Sequence, residues 1–335
     1  MTAMAAEPGL GGQSRWVDLR GPVHYLDFGG PAGGPVIVCV HGLGGSAVNW
    51  SAIAPLLTGR YRLLAPDLAG HGLTQSAGRG TDVASNTLLL HRFIESVPAL
   101  CAGPGGSVNP GVPAPSARPA GPAAPVRPVI LMGNSMGGMI SLLEASAEPG
   151  AVAGLILLDA ALPFVPARPD PVVAALFALY MTPGLGRVMM SRRRSMSPEA
   201  LVARVMSLCC ADSARLPADI VARHVEIARQ RAEFTGTGQD FAIAMRSVIA
   251  TAGHARGQSY RRQIRSVSCP VLMLHGARDR LVPVAAALAA VRAQPSWSLV
   301  VFSGVGHVPQ LEVPRDSARV ITEWLESAGQ LATAS

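Results

Sequence analysis

The chain has 335 residues, 49% of them apolar, and a formal net charge of +7. That length suits one large α/β domain with an inserted subdomain and leaves ample room for a core. All 28 basic residues are arginine, which excludes Schiff-base chemistry, pyridoxal phosphate attachment and a lysine-bearing phosphate loop.

Residues 1–14 are rich in Ala and Gly and are expected to be disordered. Strands at 15–19 and 23–28 are expected to pair as a hairpin around Gly21-Pro22. The β-branched run from Pro35 to Val40 reads as a buried parallel strand, and it leads into His41-Gly42-Leu43-Gly44-Gly45. A second such strand at 61–65 leads to Asp67, and a helix follows over 86–100. Residues 102–128 are dominated by Pro, Gly and Ala, cannot make a packed core, and read as an insertion loop within one domain. The apolar run from Pro128 to Met132 then enters Gly133-Asn134-Ser135-Met136-Gly137-Gly138, and a helix follows over 136–147. A strand at 154–159 closes this half.

Residues 162–266 break the alternation of strand and helix. Helical periodicity recurs at 171–180, 198–208, 217–233 and 240–252, with Pro near the helix starts, which reads as an inserted helical cap. Strands resume at 270–274 and 298–302, and a helix at 315–328 closes the domain. The expected organisation is therefore a core of 15–161 and 267–330, with the insertion loop at 102–128 and the cap at 162–266. The fold class is α/β, with a mostly parallel central sheet flanked by helices.

A buried strand running into Gly-x-Ser-x-Gly and then a helix is the form of a nucleophile elbow. The turn is sharp and strained, and side chains beside Ser135 would clash, so glycines flank it. A serine hydroxyl needs a base, and the base needs an acid that fixes its tautomer. In this architecture the chain order is Ser, then acid, then His. Asp279 follows the strand at 270–274 and His307 follows the strand at 298–302, so both fall at the sheet edge that carries Ser135. His307 is the candidate general base and Asp279 its orienting acid. Asp159, also at a strand end, is the rival acid, and Asp279 beside Arg278 and Arg280 has an alternative reading as a solvated turn residue.

Attack on a carbonyl builds negative charge on oxygen, which needs preorganised N–H donors. The candidates are the main-chain amides of Met136 and Leu43. His24, His91, His224 and His254 are placed on strand or helix surfaces, while His41 and His275 are read as loop braces. No His, Cys, Asp or Glu cluster has metal-ligand spacing, so neither metal nor cofactor is expected. The five cysteines, Cys39, Cys101, Cys209, Cys210 and Cys269, read as reduced thiols used as small hydrophobes. With no signal peptide or transmembrane run visible, the expected location is cytoplasmic. The arginines are scattered, and the run Arg192-Arg193-Arg194 reads as a solvated helix end, so no nucleic-acid partner is expected. Positive charge and apolar composition leave peripheral membrane contact open.

These pieces, together with Asp67-Leu68-Ala69-Gly70-His71-Gly72 and Gly306-His307-Val308-Pro309-Gln310-Leu311-Glu312, run in an order that resembles the capped α/β-hydrolase family. The resemblance covers about residues 20–160 and 265–330 and implies a serine hydrolase whose cap sets the substrate. A serine at 135 argues against the dehalogenase and epoxide hydrolase branches. The elbow is similar to that of carbon–carbon bond hydrolases, which usually carry a tryptophan after the histidine where this chain has Val308. The expected function is hydrolysis of a small-molecule carboxylic ester through an acyl-enzyme on Ser135. The alternatives are the same triad on a carbon–carbon, thioester or amide bond, acyl or peracid transfer, and a ligand-binding protein with little turnover. Leu176, Met181, Met189 and Met190 form either an apolar acyl pocket or the cap's own core.

Overall fold

In the computed structural model, residues 11–102, 127–165, 170–182 and 184–333 are described. Residues 1–10 of the N-terminal segment and 103–126 of the Pro/Ala-rich insertion lie outside that set.

The apolar β-branched runs become eight strands: β1 (Gln13–Asp18), β2 (Pro22–Gly29), β3 (Val36–Val40), β4 (Arg62–Pro66), β5 (Val129–Asn134), β6 (Val152–Leu158), β7 (Val271–Gly276) and β8 (Ser298–Phe302). They form one sheet in the order β1-β2-β4-β3-β5-β6-β7-β8. The β1–β2 and β2–β4 pairs are antiparallel, and every other neighbouring pair is parallel. The first strand starts at Gln13, inside the segment expected to be disordered, because its ladder with β2 reaches from Gln13 opposite Asp27 to Asp18 opposite Pro22.

Side chains alternate across the central strands, as the two-residue strand period requires. Val38, Val40, Leu131, Leu155 and Leu157 face one layer, packing with α2 (Val83–Ala102) and α3 (Met136–Ala147). Ile37, Cys39, Met132, Ile156 and Leu158 face the other, with the segment Ala47–Leu57 and the closing helix α12 (Pro314–Thr333). Both faces are covered, so these strands read as continuous apolar runs rather than alternating ones.

Between β6 and β7 lies a helical insertion: α4 (Pro171–Met181), α5 (Leu185–Arg194), α6 (Pro198–Cys209), α7 (Ala218–Ala232), α8 (Thr237–Ala252) and α9 (His254–Arg265). Of these, α5 and α9 were not anticipated. The α9 segment is polar apart from a few positions, and its burial rests on Tyr260 and Ile264, one helical turn apart. The α10 helix (Val284–Ala293) was also missed, since its alanine-rich sequence has little polar contrast to mark a face. The start of α2 lies three residues earlier than the periodicity suggests. Asp82 before it accepts the Ser85 N–H at 3.0 Å, an N-terminal cap. Among the described residues, no helix is long and apolar enough to cross a membrane.

Parallel register places the ends of five strands, β3, β5, β6, β7 and β8, on one edge. Val40 pairs with Gly133, Asn134 with Leu158, and Gly276 with Phe302. The loops after β3, β5, β7 and β8 therefore open side by side.

Asp67, after β4, ties this edge together. It is fully buried, and it accepts N–H bonds from Ala47 and Leu73 at 2.7 Å each and from His24 Nδ1 at 2.6 Å. His24 is thus a core partner rather than a surface histidine. Burial raises the Asp67 carboxyl, but the adjacent His24, with its hydrogen bond, outweighs that and holds it below the usual value. Asp67→Ala leaves three donors unpaired in the interior and is expected to cost about 3–5 kcal/mol of stability, read by chemical denaturation. A carboxyl lowered on folding stabilises fully above its unfolded value and loses that contribution as pH falls through the lower folded one. The gap between wild type and Asp67→Ala should therefore narrow as pH drops below about 4, the reference range for Asp.

Candidate active site

The turn from β5 into α3 is built by close approach. Ser135 has φ +55° and ψ −119°, a conformation that L-residues rarely adopt. A Cβ at Gly137 would run into the Val40 carbonyl oxygen, and one at Gly133 would lie 2.6 Å from the Gly137 oxygen. Glycine at these two positions is what lets the helix leave the strand so abruptly. The Ser135 hydroxyl opens on a cavity of about 800 Å³ roofed by α4, α5, α6 and α8.

His307, on the loop after β8, lines the same cavity. Its Nδ1 lies 2.7 Å from Asp279 Oδ2, on a buried carboxylate. The other Asp279 oxygen accepts the Leu281 and Val282 N–H groups at 2.7 and 3.0 Å. Both oxygens of Asp279 are therefore committed, one to the imidazole and one to the main chain. Burial raises the Asp279 carboxyl, but the charge and hydrogen bond of His307 hold it below the ordinary value.

Asp159 behaves differently. It is fully buried at φ +46°, and its Oδ1 accepts the Gly276 N–H at 2.9 Å. One oxygen each of Asp159 and Asp279 and one ring nitrogen of His307 lie within 4.8 Å of one another. Burial first, and then the neighbouring Asp279 charge, push the Asp159 carboxyl well up. Two carboxylates at this spacing in a dry site do not both ionise. The ionised partner of His307 is Asp279, and Asp159 is the neutral acid beside it.

The loop that carries His307 is pinned from three sides. Asn134 Nδ2 donates to the His307 carbonyl and to the Leu158 carbonyl, both at 3.0 Å. The His307 N–H donates to the Cys209 carbonyl at the end of α6, at 2.6 Å. Glu312 accepts from Gly306 N–H at 2.7 Å and from Ala211 N–H at 2.9 Å, which joins the helical insertion to the loop. Sequence reading quoted Asn134 and Glu312 only as motif positions and gave them no task. Asn134 stands between Gly133 and Ser135 in the elbow, and Glu312 stands between Leu311 and Val313, five residues after His307.

Met136 is the first residue of α3, where an N–H has no intrahelical acceptor. Leu43 sits on the loop after β3, and both residues line the cavity. Among the described residues, neither N–H donates to another main-chain group. The loop is braced by His41, whose Nδ1–H donates to the Gly42 carbonyl at 2.8 Å while its Nε2 accepts the Leu68 N–H at 3.0 Å.

The cavity wall is mostly apolar, with Val173, Leu176, Phe177, Met189, Phe241 and Val248 among its residues. Leu176 and Met189 therefore face the cavity, while the side chains of Met181 and Met190 lie outside the described set. Two polar features were missed. His224 lines the cavity rather than an outer helix face; its Nδ1–H donates to Ile220 O at 2.9 Å, leaving Nε2 without a partner among the described residues. Burial holds the His224 imidazole below its ordinary value, so Nε2 is an acceptor. Arg192, Arg193 and Arg204 also line the cavity, so the arginine run is not simply a solvated helix end.

The family model described as Alpha/beta hydrolase family matches residues 37–320. The chain is 26% identical over 300 residues to a pimeloyl-[acyl-carrier protein] methyl ester esterase of Aromatoleum aromaticum, across 86% of this chain and 97% of that protein. It is 23% identical over 318 residues to a 2-hydroxy-6-oxononadienedioate/2-hydroxy-6-oxononatrienedioate hydrolase of Pseudomonas putida, across 92% and 93% of the two chains. Among solved structures, a thermophilic esterase from Thermogutta terrifontis superposes with a TM-score of 0.65 at 21% identity, over 94% of this chain and 99% of that one.

Proposed function

The chain belongs to the alpha/beta hydrolase family, and we propose that within it the protein is a serine hydrolase that cleaves carboxylic esters through an acyl-enzyme on Ser135. The observation that carries this reading is the 2.7 Å pair of His307 Nδ1 and buried Asp279, on a loop that shares one cavity with a strained Ser135.

Asp279 accepts a hydrogen bond from Nδ1–H, which keeps that proton on Nδ1 and leaves Nε2 free to act as base. Nε2 takes the Ser135 proton as Oγ bonds to the ester carbonyl carbon. The Leu43 and Met136 N–H groups hold the resulting oxyanion, each such donor being worth about 3 kcal/mol of barrier. Collapse breaks the bond to the leaving alkoxide, which takes the proton from His307. Water then gives its proton to His307 as it attacks the acyl-enzyme, and collapse returns Ser135 and frees the acid. The neutral Asp159 supports Asp279 without adding a second charge, and the helical insertion covers the acyl chain and sets its size.

The esterase named above supports the ester bond. A second reading keeps the same residues and changes the bond to carbon–carbon. It is favoured by the elbow Asn134-Ser135-Met136-Gly137-Gly138 and by the oxononadienedioate hydrolase relatives. Val308 in place of a tryptophan after the histidine favours the ester.

A p-nitrophenyl ester series from acetyl to long acyl, run beside fluorophosphonate labelling with the modified peptide identified, tests the proposal. Turnover with a chain-length optimum and a label on Ser135 is the expected result. Labelling without turnover would favour the carbon–carbon reading, and absence of both would overturn the serine mechanism. Asn134→Ala, which removes two hydrogen bonds around the His307 loop, is expected to lower kcat on the best ester about tenfold. Its stability should fall by about 1–2 kcal/mol, the usual range for lost buried hydrogen bonds.

A further inference from the structure

The arginines of the helical insertion stand out in a mostly apolar chamber. Arg193 of α5 is half-buried, with its guanidinium carbon 4.5 Å from the centroid of the Phe241 ring. Tyr180 borders the same ring, meeting Phe241 edge-on at 6.3 Å. The loop after β3 comes close beneath: a Cβ placed on Gly44 would lie 3.0 Å from Phe241 Cε2 and 3.7 Å from Arg193 Nη2. The guanidinium thus reaches the same loop that presents the Leu43 N–H.

No carboxylate among the described residues pairs with Arg192, Arg193 or Arg204. Arg280 at the same cavity, by contrast, is paired with Asp170 at 2.9 Å. Burial lowers the Arg193 guanidinium below its ordinary value, and nearby Arg204 adds to this. Arginine does not release its proton in a protein, so the charge stays in place. A half-buried cation without a counter-ion is partly desolvated, and an incoming anion offsets that cost. Stacking on Phe241 orients the fork, whose shape matches a carboxylate in two parallel hydrogen bonds.

We propose that the substrate carries a free carboxylate in addition to the ester under attack, and that Arg193, supported by Arg204, receives it beside the Gly42–Gly45 loop. The preferred substrates are then half-esters of dicarboxylic acids. This rests on the serine ester hydrolase reading and narrows it to a substrate class.

The test uses matched pairs: the mono-p-nitrophenyl esters of succinic, adipic and suberic acid, each against its methyl-capped diester. The readout is the ratio of kcat/KM, free acid over capped. A ratio of about tenfold or more at one chain length is expected in the wild type, equal to about 1.4 kcal/mol. Arg193→Gln should bring that ratio near one, Arg193→Lys should keep part of it, and Arg204→Gln should reduce it. Arg319→Gln, an exposed site remote from the cavity, controls for attraction by the net positive charge. That long-range attraction is screened by salt, whereas a direct contact inside the half-buried chamber is screened less. A wild-type ratio near one at every length, or a ratio unchanged in Arg193→Gln, overturns the proposal. If neither member of any pair is hydrolysed, the ester reading fails instead. Calorimetric titration of suberate against dimethyl suberate then decides the carboxylate site on its own: tighter suberate binding that Arg193→Gln abolishes supports it, and equal or absent binding rejects it.

Discussion

Ser135→Ala is expected to lower ester turnover by roughly 10⁶-fold, the scale seen when the nucleophile of such a triad is removed. The residual rate would come from the Leu43 and Met136 N–H groups, which still polarise a bound carbonyl, and from substrate binding alone. Fluorophosphonate labelling should vanish together with turnover. The fold should survive, because alanine meets the same φ of +55° that serine already endures. Ser135→Gly provides a further check. Glycine adopts that conformation without a Cβ penalty, so the variant should be inactive yet slightly more stable than wild type. Thermal melts and steady-state rates on the same preparations read both effects. Turnover that persists in both variants would remove Ser135 from the mechanism.

Asp279→Asn is expected to lower kcat by roughly 10³–10⁴-fold, the scale of a wrong-tautomer defect in a triad. The geometry explains why. The Leu281 and Val282 N–H groups already occupy one oxygen of Asp279, so an asparagine keeps its oxygen there and turns its NH₂ toward His307. An amide donor facing Nδ1 holds the imidazole with its proton on Nε2, where it cannot accept from Ser135. The overall fold should be little changed, since the new side chain has the same shape. Asp159→Asn should cost far less, because Asp159 is neutral and its Gly276 bond uses an oxygen that asparagine retains. If Asp159 were the working acid, the two magnitudes would be reversed. Rates for both variants at several pH values decide between them.

Much of this arrangement was legible before any coordinates. The continuous apolar runs of β3, β5, β6 and β7 announced strands buried on both faces, and the glycines around Ser135 announced a turn too tight for side chains. Chain order nominated Asp279 and His307, and they meet at 2.7 Å. Helices with a clear apolar stripe and a proline near the start, such as α6 and α7, were legible for the same reason. Segments without that contrast were not: α9 is nearly all polar, and α10 is nearly all small and apolar. A periodic signal needs two kinds of residue to alternate, and these helices offer one.

Residues whose task depends on what lies across the fold were hidden altogether. Asp67 and His24 are 43 positions apart, and Asn134 and the His307 carbonyl are 173 apart. His224 and Arg193 look like surface residues on polar helices, and only the packing of the helical insertion over the sheet edge turns them toward the cavity. By itself the sequence determined the layered α/β fold, the strained elbow and the identity of the serine, acid and histidine candidates. Each of those follows from short-range patterns of shape and polarity along the chain. The tertiary structure alone decided that two acids sit side by side next to the histidine, what pins the histidine loop, and that unpaired arginines face the chamber. Those outcomes depend on distance and burial between segments far apart in the chain, where a few ångströms set whether a group is paired, neutral or charged.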